Sequence, residues 1–194
     1  MTTLDFYFDF GSPTAFLAYE RLLQLQAEYD LKINFKPMLL GGVFKATHNQ
    51  SPVSIPAKGM YMMKHDLPRF AKRYGVELTM NPNFPINTLP LMRGAYAALE
   101  LGCFDKYCRT IFDAMWKQGA NLGDPAVIKS TLDEADLDSD KLIALTQDQS
   151  IKDKLADTTT EAVSKGAFGA PTMFVGDEMF FGQDRLDFVE ELLK

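Results

Sequence analysis

The chain has 194 residues, with 20 Lys and Arg against 26 Asp and Glu, a formal charge of −6, and 46% hydrophobic residues. That is enough apolar material for a domain of this length to bury its own core without disulfide or metal staples, and it excludes an acidic disordered tail or a low-complexity chain. No Lys/Arg cluster offers phosphates a footprint, which excludes nucleic acid as a partner. No apolar run approaches the roughly 18 residues of a membrane span, which excludes insertion in a bilayer.

The first segment alternates Leu4, Phe6, Phe8 and Phe10 with Asp5, Tyr7 and Asp9, the period of a strand. Gly11 breaks it, and Ser12-Pro13 starts a helix with a capping hydroxyl and a proline at the first helical position. Phe16, Leu17, Leu22, Leu23 and Leu25 give that helix its apolar stripe up to about Asp30. Leu31, Ile33 and Phe35 alternate with Lys32, Asn34 and Lys36 until Pro37, so residues 4–36 read as a βαβ unit with a parallel strand pair.

Residues 41–57 read as loop, with Gly41-Gly42, Ser51-Pro52 and Ile55-Pro56. A helix is expected from Ala57 to Tyr74, closed by Gly75, with Pro68 kinking or interrupting it. Residues 79–90, holding Pro82, Pro85 and Pro90, read as irregular. Five helices follow: one ending at Gly102, one over 103–118, one from the Asp124-Pro125 cap, one over 139–148 and one over 150–165. Thr172–Val175 and Glu178–Phe181 flank Gly176-Asp177, a hairpin turn, and a last helix carries Leu186, Phe188, Val189, Leu192 and Leu193 on its apolar side.

The order is thus βαβ, a long helical block, then ββα. A half-built sheet must be completed, so the two ends are expected to meet in one domain. That split order is the thioredoxin arrangement, expected over residues 1–41 and 166–194 and interrupted by an inserted all-helical domain over residues 42–165, although several Rossmann-like and ferredoxin-like folds can begin the same way. Cys103 and Cys108 are too few for a disulfide framework, and on one helix they would point about 140° apart. They read as reduced packing residues of a reducing compartment. Met1 to Phe10 has no basic region of a secretory signal, so the cytoplasm is the expected location.

The chemistry concentrates at the first strand-to-helix junction. A helix N-terminus carries unpaired N–H groups and about half a positive charge, a field that attracts anions. Dithiol oxidoreductases of the thioredoxin type place C-x-x-C there, where the field lowers a thiol pKa. This chain has Ser12-Pro13-Thr14-Ala15 instead, which rules out dithiol–disulfide exchange. The Ser12 hydroxyl can cap the helix and still donate outward. Toward a bound thiolate, that donation and the helix terminus together would lower the thiol pKa by about one to three pH units. On the junction alone, plain helix capping is the favoured reading. Ala170-Pro171 precedes a strand at the place of the thioredoxin cis proline, whose neighbour can pair with an extended peptide. Asp184 can receive an ammonium or cap the last helix. His48 and His65 lack metal-ligand spacing, no G-x-S-x-G surrounds Ser12, and no dinucleotide fingerprint occurs.

The segments DFYFDFGSPTAFLA, NQSPVSIPAKGMYM and GAFGAPTMFVGDEMFFGQDR, in this strand–helix order, resemble the 2-hydroxychromene-2-carboxylate isomerase family and its relatives, the kappa-class glutathione transferases. The resemblance covers essentially the whole chain, and its Ser-Pro motif at Ser12-Pro13 and its GAFG-x-P…FG-x-DR motif from Gly166 to Arg185 are specific together. It implies glutathione as cofactor, with Ser12 binding and activating the sulfur and Thr14 beside it. Asn49 would reach the glycyl end, with Lys58 close to it. Ala170 would pair through its backbone with the cysteinyl part, and Asp184, with Gln183 and Arg185, would hold the γ-glutamyl head. Gln183 departs from the usual Ser or Asn. Lys45 aligns with a lysine on the substrate carboxylate, but Ser51–Ile55 replaces the isomerase Asn-Arg pair and is closer to the transferase pattern.

The implied activity is glutathione-dependent isomerisation of a 2-hydroxychromene-2-carboxylate-like compound to trans-o-hydroxybenzylidenepyruvate, with a small aromatic substrate as partner and a homodimer as assembly. The alternatives are a kappa-like transferase conjugating glutathione to electrophiles, and a non-catalytic module that captures an extended peptide beside Pro171.

Overall fold

In the computed structural model, which describes Met1–Lys194, the first alternating segment forms β1 (Thr2–Phe8) and the capped segment after it forms α1 (Pro13–Glu28). β2 (Leu31–Pro37) lies parallel to β1 in the register Phe6 to Phe35. From the other end of the chain, β3 (Thr172–Val175) runs antiparallel to β1, and β4 (Glu178–Phe181) pairs antiparallel with β3 across the Gly176-Asp177 turn. The strand order β2-β1-β3-β4 makes one mixed sheet from the two ends of the chain. This is the thioredoxin arrangement expected from the sequence.

Phe6, Phe8 and Phe10 face a helical layer in which Tyr19 and Phe112 approach to within aromatic contact. One buried cluster of 39 residues runs from Leu4 through Phe112 and Trp116 to Val189, so sheet and helices share a continuous core. The Trp116 indole N–H donates to the Phe10 carbonyl at 2.7 Å, which fixes the chain just before Ser12 to the helical block. The opposite face of β1 is also covered: Tyr7 packs with Met38, Val43, Ala162 and Phe174 in a second, smaller cluster.

The helical segment contains α2 (Leu40–Thr47), α3 (Pro56–Tyr61), α4 (Leu67–Tyr74), α5 (Leu89–Glu100), α6 (Phe104–Trp116), α7 (Pro125–Glu134), α8 (Ser139–Leu145) and α9 (Gln149–Ser164), and α10 (Leu186–Glu191) closes the chain. The expected loop over 41–57 is corrected by α2. No local residue caps it; the Leu40 N–H instead donates to the Asp9 carboxylate at 2.8 Å, and the Leu39 N–H to the Thr159 hydroxyl at 2.9 Å. Gly42 looks like a breaker in sequence, but a Cβ there would come within 3.1 Å of Thr159, so it permits close packing on α9. At Pro68 the expected interruption takes the form of a π-helical turn, Met62–Asp66, between α3 and α4. Its wider spacing accommodates the missing donor and the bulk of the proline ring.

Cys103 caps α6 rather than lying within it, Cys108 is buried, and burial pushes both free thiols up from their ordinary value. On α10 the expected apolar side splits. Leu186 and Val189 are buried, three positions apart, while Phe188 and Leu192 lie on an adjacent stripe that the core does not reach and are exposed. No helix is long and apolar enough to cross a membrane.

Candidate active site

Where β1 gives way to α1, the Ser12 side chain accepts the Ala15 N–H at 3.1 Å as the helix cap, and it is only 5% exposed. Its hydroxyl lies 2.9 Å from the Thr14 hydroxyl and 3.2 Å from the Ala170 carbonyl, to which Thr14 can also donate at 3.3 Å. This redundancy is chemically useful. With Thr14 on the Ala170 carbonyl, the Ser12 proton is free to turn outward to an anion while its lone pair still caps the helix. The Ala170-Pro171 peptide is cis, and the Ala170 N–H donates to no atom of the chain, so it is open to an extended ligand.

Asp9 holds this junction in place, and reading the sequence as an alternating strand gave it no role. Its carboxylate is 1% exposed and accepts two backbone N–H groups, Gly11 and Leu40, each at 2.8 Å. One side chain thereby ties the Ser12 turn to the start of α2. Burial pushes the carboxyl above its ordinary value, and the two N–H groups and the Thr88 hydroxyl only partly offset this. The available signal was an Asp on the final turn before Ser-Pro, on the face of β1 that also carries Tyr7.

These groups open into a cleft of about 480 Å³ between the thioredoxin segments and the helical segment. Seven of the nine residues singled out in the sequence line it: Ser12, Thr14, Asn49, Lys58, Ala170, Gln183 and Asp184. Asn49 follows α2 and donates across to the Phe168 carbonyl at 2.9 Å. The Gln183 carbonyl accepts the Tyr74 hydroxyl at 2.7 Å; burial pushes that phenol up to about 12, which keeps it a donor at neutral pH. Asp184 folds back over Gly182, where φ is +94° and a Cβ would collide with its carboxylate, so that turn needs glycine.

Two of the nine stand apart. Arg185 does not line the cleft and instead pairs with Asp184 at its rim. Lys45 is exposed on α2 and also lies outside the lining, where Leu40 and Phe44 are the residues that α2 contributes. The cleft wall formed by the helical segment has an apolar patch, Val53, Ile55, Met62, Phe70 and Phe84, beside the polar Asn49, Gln50 and Ser51, and its charged members are Lys58 and Asp66.

Comparison with known proteins places this geometry. The DSBA-like thioredoxin domain model matches residues 3–194. The 2-hydroxychromene-2-carboxylate isomerase of Pseudomonas putida is 30% identical over 191 residues, covering 98% of this chain and 93% of that protein. The kappa 1 glutathione S-transferase of Rattus norvegicus is 26% identical, covering 98% of this chain and 90% of the transferase. A solved structure of a 2-hydroxychromene-2-carboxylate isomerase superposes with a TM-score of 0.88 at 30% identity, over 98% of this chain and 93% of the other. The chain belongs to the DSBA-like thioredoxin family, alongside the 2-hydroxychromene-2-carboxylate isomerases that share 30% of its residues.

Proposed function

We propose that this protein is a glutathione-dependent isomerase that converts a 2-hydroxychromene-2-carboxylate-like compound to trans-o-hydroxybenzylidenepyruvate. The observation that carries the reading is the Ser12 hydroxyl at the N-terminus of a 16-residue helix, facing the cleft beside Ala170. The donor set fits the tripeptide. Ser12 and the α1 terminus suit a thiolate, the open Ala170 N–H suits an extended backbone, Lys58 suits a carboxylate and Asp184 an ammonium. Glutathione, when bound, supplies the sulfur nucleophile and is regenerated at the end of each turnover.

The chain's own residues prepare that chemistry. Ser12 and the helix dipole favour the thiolate before attack and again on its release, and no general base is needed. Thr14 keeps the Ala170 carbonyl satisfied while Ser12 turns outward. Asn49 and Lys58 hold the glycyl end, and Gln183 and Asp184, with Arg185 steadying the Asp184 carboxylate, hold the γ-glutamyl head. The aromatic substrate lies against Met62, Phe70 and Phe84. A homodimer in the cytoplasm belongs to the same reading.

One observation favours a second reading. Lys45, the cation that would meet the substrate carboxylate, is outside the cleft, and the part of the helical wall that carries Met62, Phe70 and Phe84 is apolar. A wall of that kind suits a neutral electrophile, and hence a kappa-like transferase that releases the glutathione adduct. Supplying the chromene carboxylate with substoichiometric glutathione separates the two. Product in excess of the glutathione added is the outcome expected of the isomerase; consumption of glutathione one-for-one would overturn it in favour of the transferase.

A further inference from the structure

α2 divides two cavities. Leu40 and Phe44 face the Ser12 cleft, whereas Leu39, Gly42 and Ala46 line a separate cavity of about 550 Å³ bounded on its other sides by α5 and α9. Its volume is within the range of small-molecule sites. Leu89, Leu155 and Val163 supply an apolar lining, Thr159 and Thr160 supply hydroxyls, and the cations present are Arg93 and Lys152.

Arg93 is the anomaly. The sequence has six arginines, and five of them hold a carboxylate: Arg21 with Glu190, Arg69 with Asp66, Arg73 with Asp187, Arg109 with Glu20 and Arg185 with Asp184. Arg93 holds none, and its Nε is shut off from solvent without a hydrogen-bond partner. Of the two lysines on α9, Lys154 pairs with Glu100, whereas Lys152 has no carboxylate partner. A buried guanidinium donor without an acceptor destabilises the fold that contains it. In a chain with 26 acidic residues, its lack of an acidic partner needs an explanation.

We propose that the α2–α5–α9 cavity binds an organic monocarboxylate with an apolar body, its carboxylate on the two terminal nitrogens of the Arg93 guanidinium, which no atom of the chain engages, and near Lys152, its body against Leu89, Leu155 and Val163. The planar fork of arginine matches a carboxylate with two parallel hydrogen bonds, and the apolar lining disfavours small inorganic anions, which have nothing to bury there. This site is independent of the glutathione reading, because no residue of its lining belongs to the Ser12 cleft.

Octanoate titrated calorimetrically into the full-length protein tests the proposal, with octanol as its uncharged counterpart. Saturable octanoate binding at one site is expected, at least tenfold tighter than octanol and unchanged by saturating glutathione. Arg93→Met should weaken it about tenfold or more, a factor equal to about 1.4 kcal/mol, and should leave the melting temperature unchanged or raised, since it removes an unpaired buried donor. Ala156→Phe, at an exposed position on the cavity wall, should abolish binding by filling the space even if the arginine variant folds poorly. Equal binding of octanol, retention of binding in either variant, displacement by glutathione, a lowered melting temperature in Arg93→Met, or no binding at all would each overturn the proposal.

Discussion

The two walls of the Ser12 cleft are built in opposite ways. On the thioredoxin side the polar groups are buried and tied down: Asp9 at 1% exposure and Ser12 at 5% are held by hydrogen bonds to distant backbone, and Gln183 at 7% by the Tyr74 hydroxyl on its carbonyl. On the helical side Val53, Ile55, Met62 and Phe70 are only partly buried, on a 3₁₀ turn, the junction before α3, a π-helical turn and α4. The first wall fixes a hydroxyl against a helix dipole to within hydrogen-bond tolerance, as activation of a nucleophile requires. The second presents apolar shape on irregular backbone, which can be remodelled at little cost to the core. Substitutions in the first should therefore alter chemistry and stability, and in the second the choice of substrate.

The largest effect belongs to Ser12→Ala. It removes the outward donor while leaving the α1 dipole, so the pKa of bound glutathione should rise by about one to two pH units, the equivalent of one charge-assisted hydrogen bond. Turnover at neutral pH should fall about 10²–10³-fold, the usual cost of one preorganised donor. Thiolate absorbance of the complex, titrated against pH, measures the first, and initial rates measure the second. An unshifted titration would mean that the hydroxyl only caps the helix and that the two walls do not differ in chemistry.

Next in size is Asp9→Asn. One of the two backbone N–H groups that Asp9 serves would then face an amide N–H, at a cost of about 2–4 kcal/mol and a melting temperature lowered by roughly 4–16 °C. The pH dependence has a definite sign. Burial raises the folded carboxyl above its ordinary 3.8, so the folded protein keeps a proton that the unfolded chain has already lost. The wild type therefore loses stability as pH rises from about 4 through the raised folded value, and its advantage over the uncharged variant should narrow over that window. Denaturant melts of both proteins at several pH values check it.

What the sequence disclosed follows the same division. The fold and the thioredoxin wall were legible because their signals are local: period-two aromatics in β1, the Ser12-Pro13 cap, the Ala170-Pro171 position and the Gly176-Asp177 turn. α2 was not legible, because its cap comes from Asp9 and its Gly42 is required by a contact with Thr159, both distant in sequence. The role of Asp9 was hidden for the same reason. Phe188 and Leu192 misled because an apolar count along a six-residue helix does not say which stripe meets the core. Lys45 is within one helical turn of residues that do line the cleft, and only the orientation of α2 shows that it faces elsewhere.

The helical wall yields smaller effects. Phe70→Ala enlarges the apolar side of the cleft without touching the Ser12 network, so KM for the aromatic substrate should rise about three- to tenfold, as expected for partial loss of one aromatic contact surface. KM for glutathione should hold within twofold. Steady-state kinetics with each substrate varied in turn separates the two constants.

The smallest effect sharpens the comparison most, because it asks whether the helical wall recognises charge on the second substrate. Lys45→Met removes an exposed ammonium outside the cleft, and exposed charges at such a remove are screened by solvent and salt. KM for a carboxylated substrate should change by less than about twofold, with kcat unaltered. Lys58→Met, in the lining of the same cleft, should raise KM for glutathione severalfold, since it removes the cation best placed for the glycyl carboxylate. If Lys45→Met instead raised KM for the carboxylated substrate tenfold while sparing KM for glutathione, the lysine would have to reach the substrate in the working complex. α2 would then turn on binding, and the helical wall would select charge as well as shape.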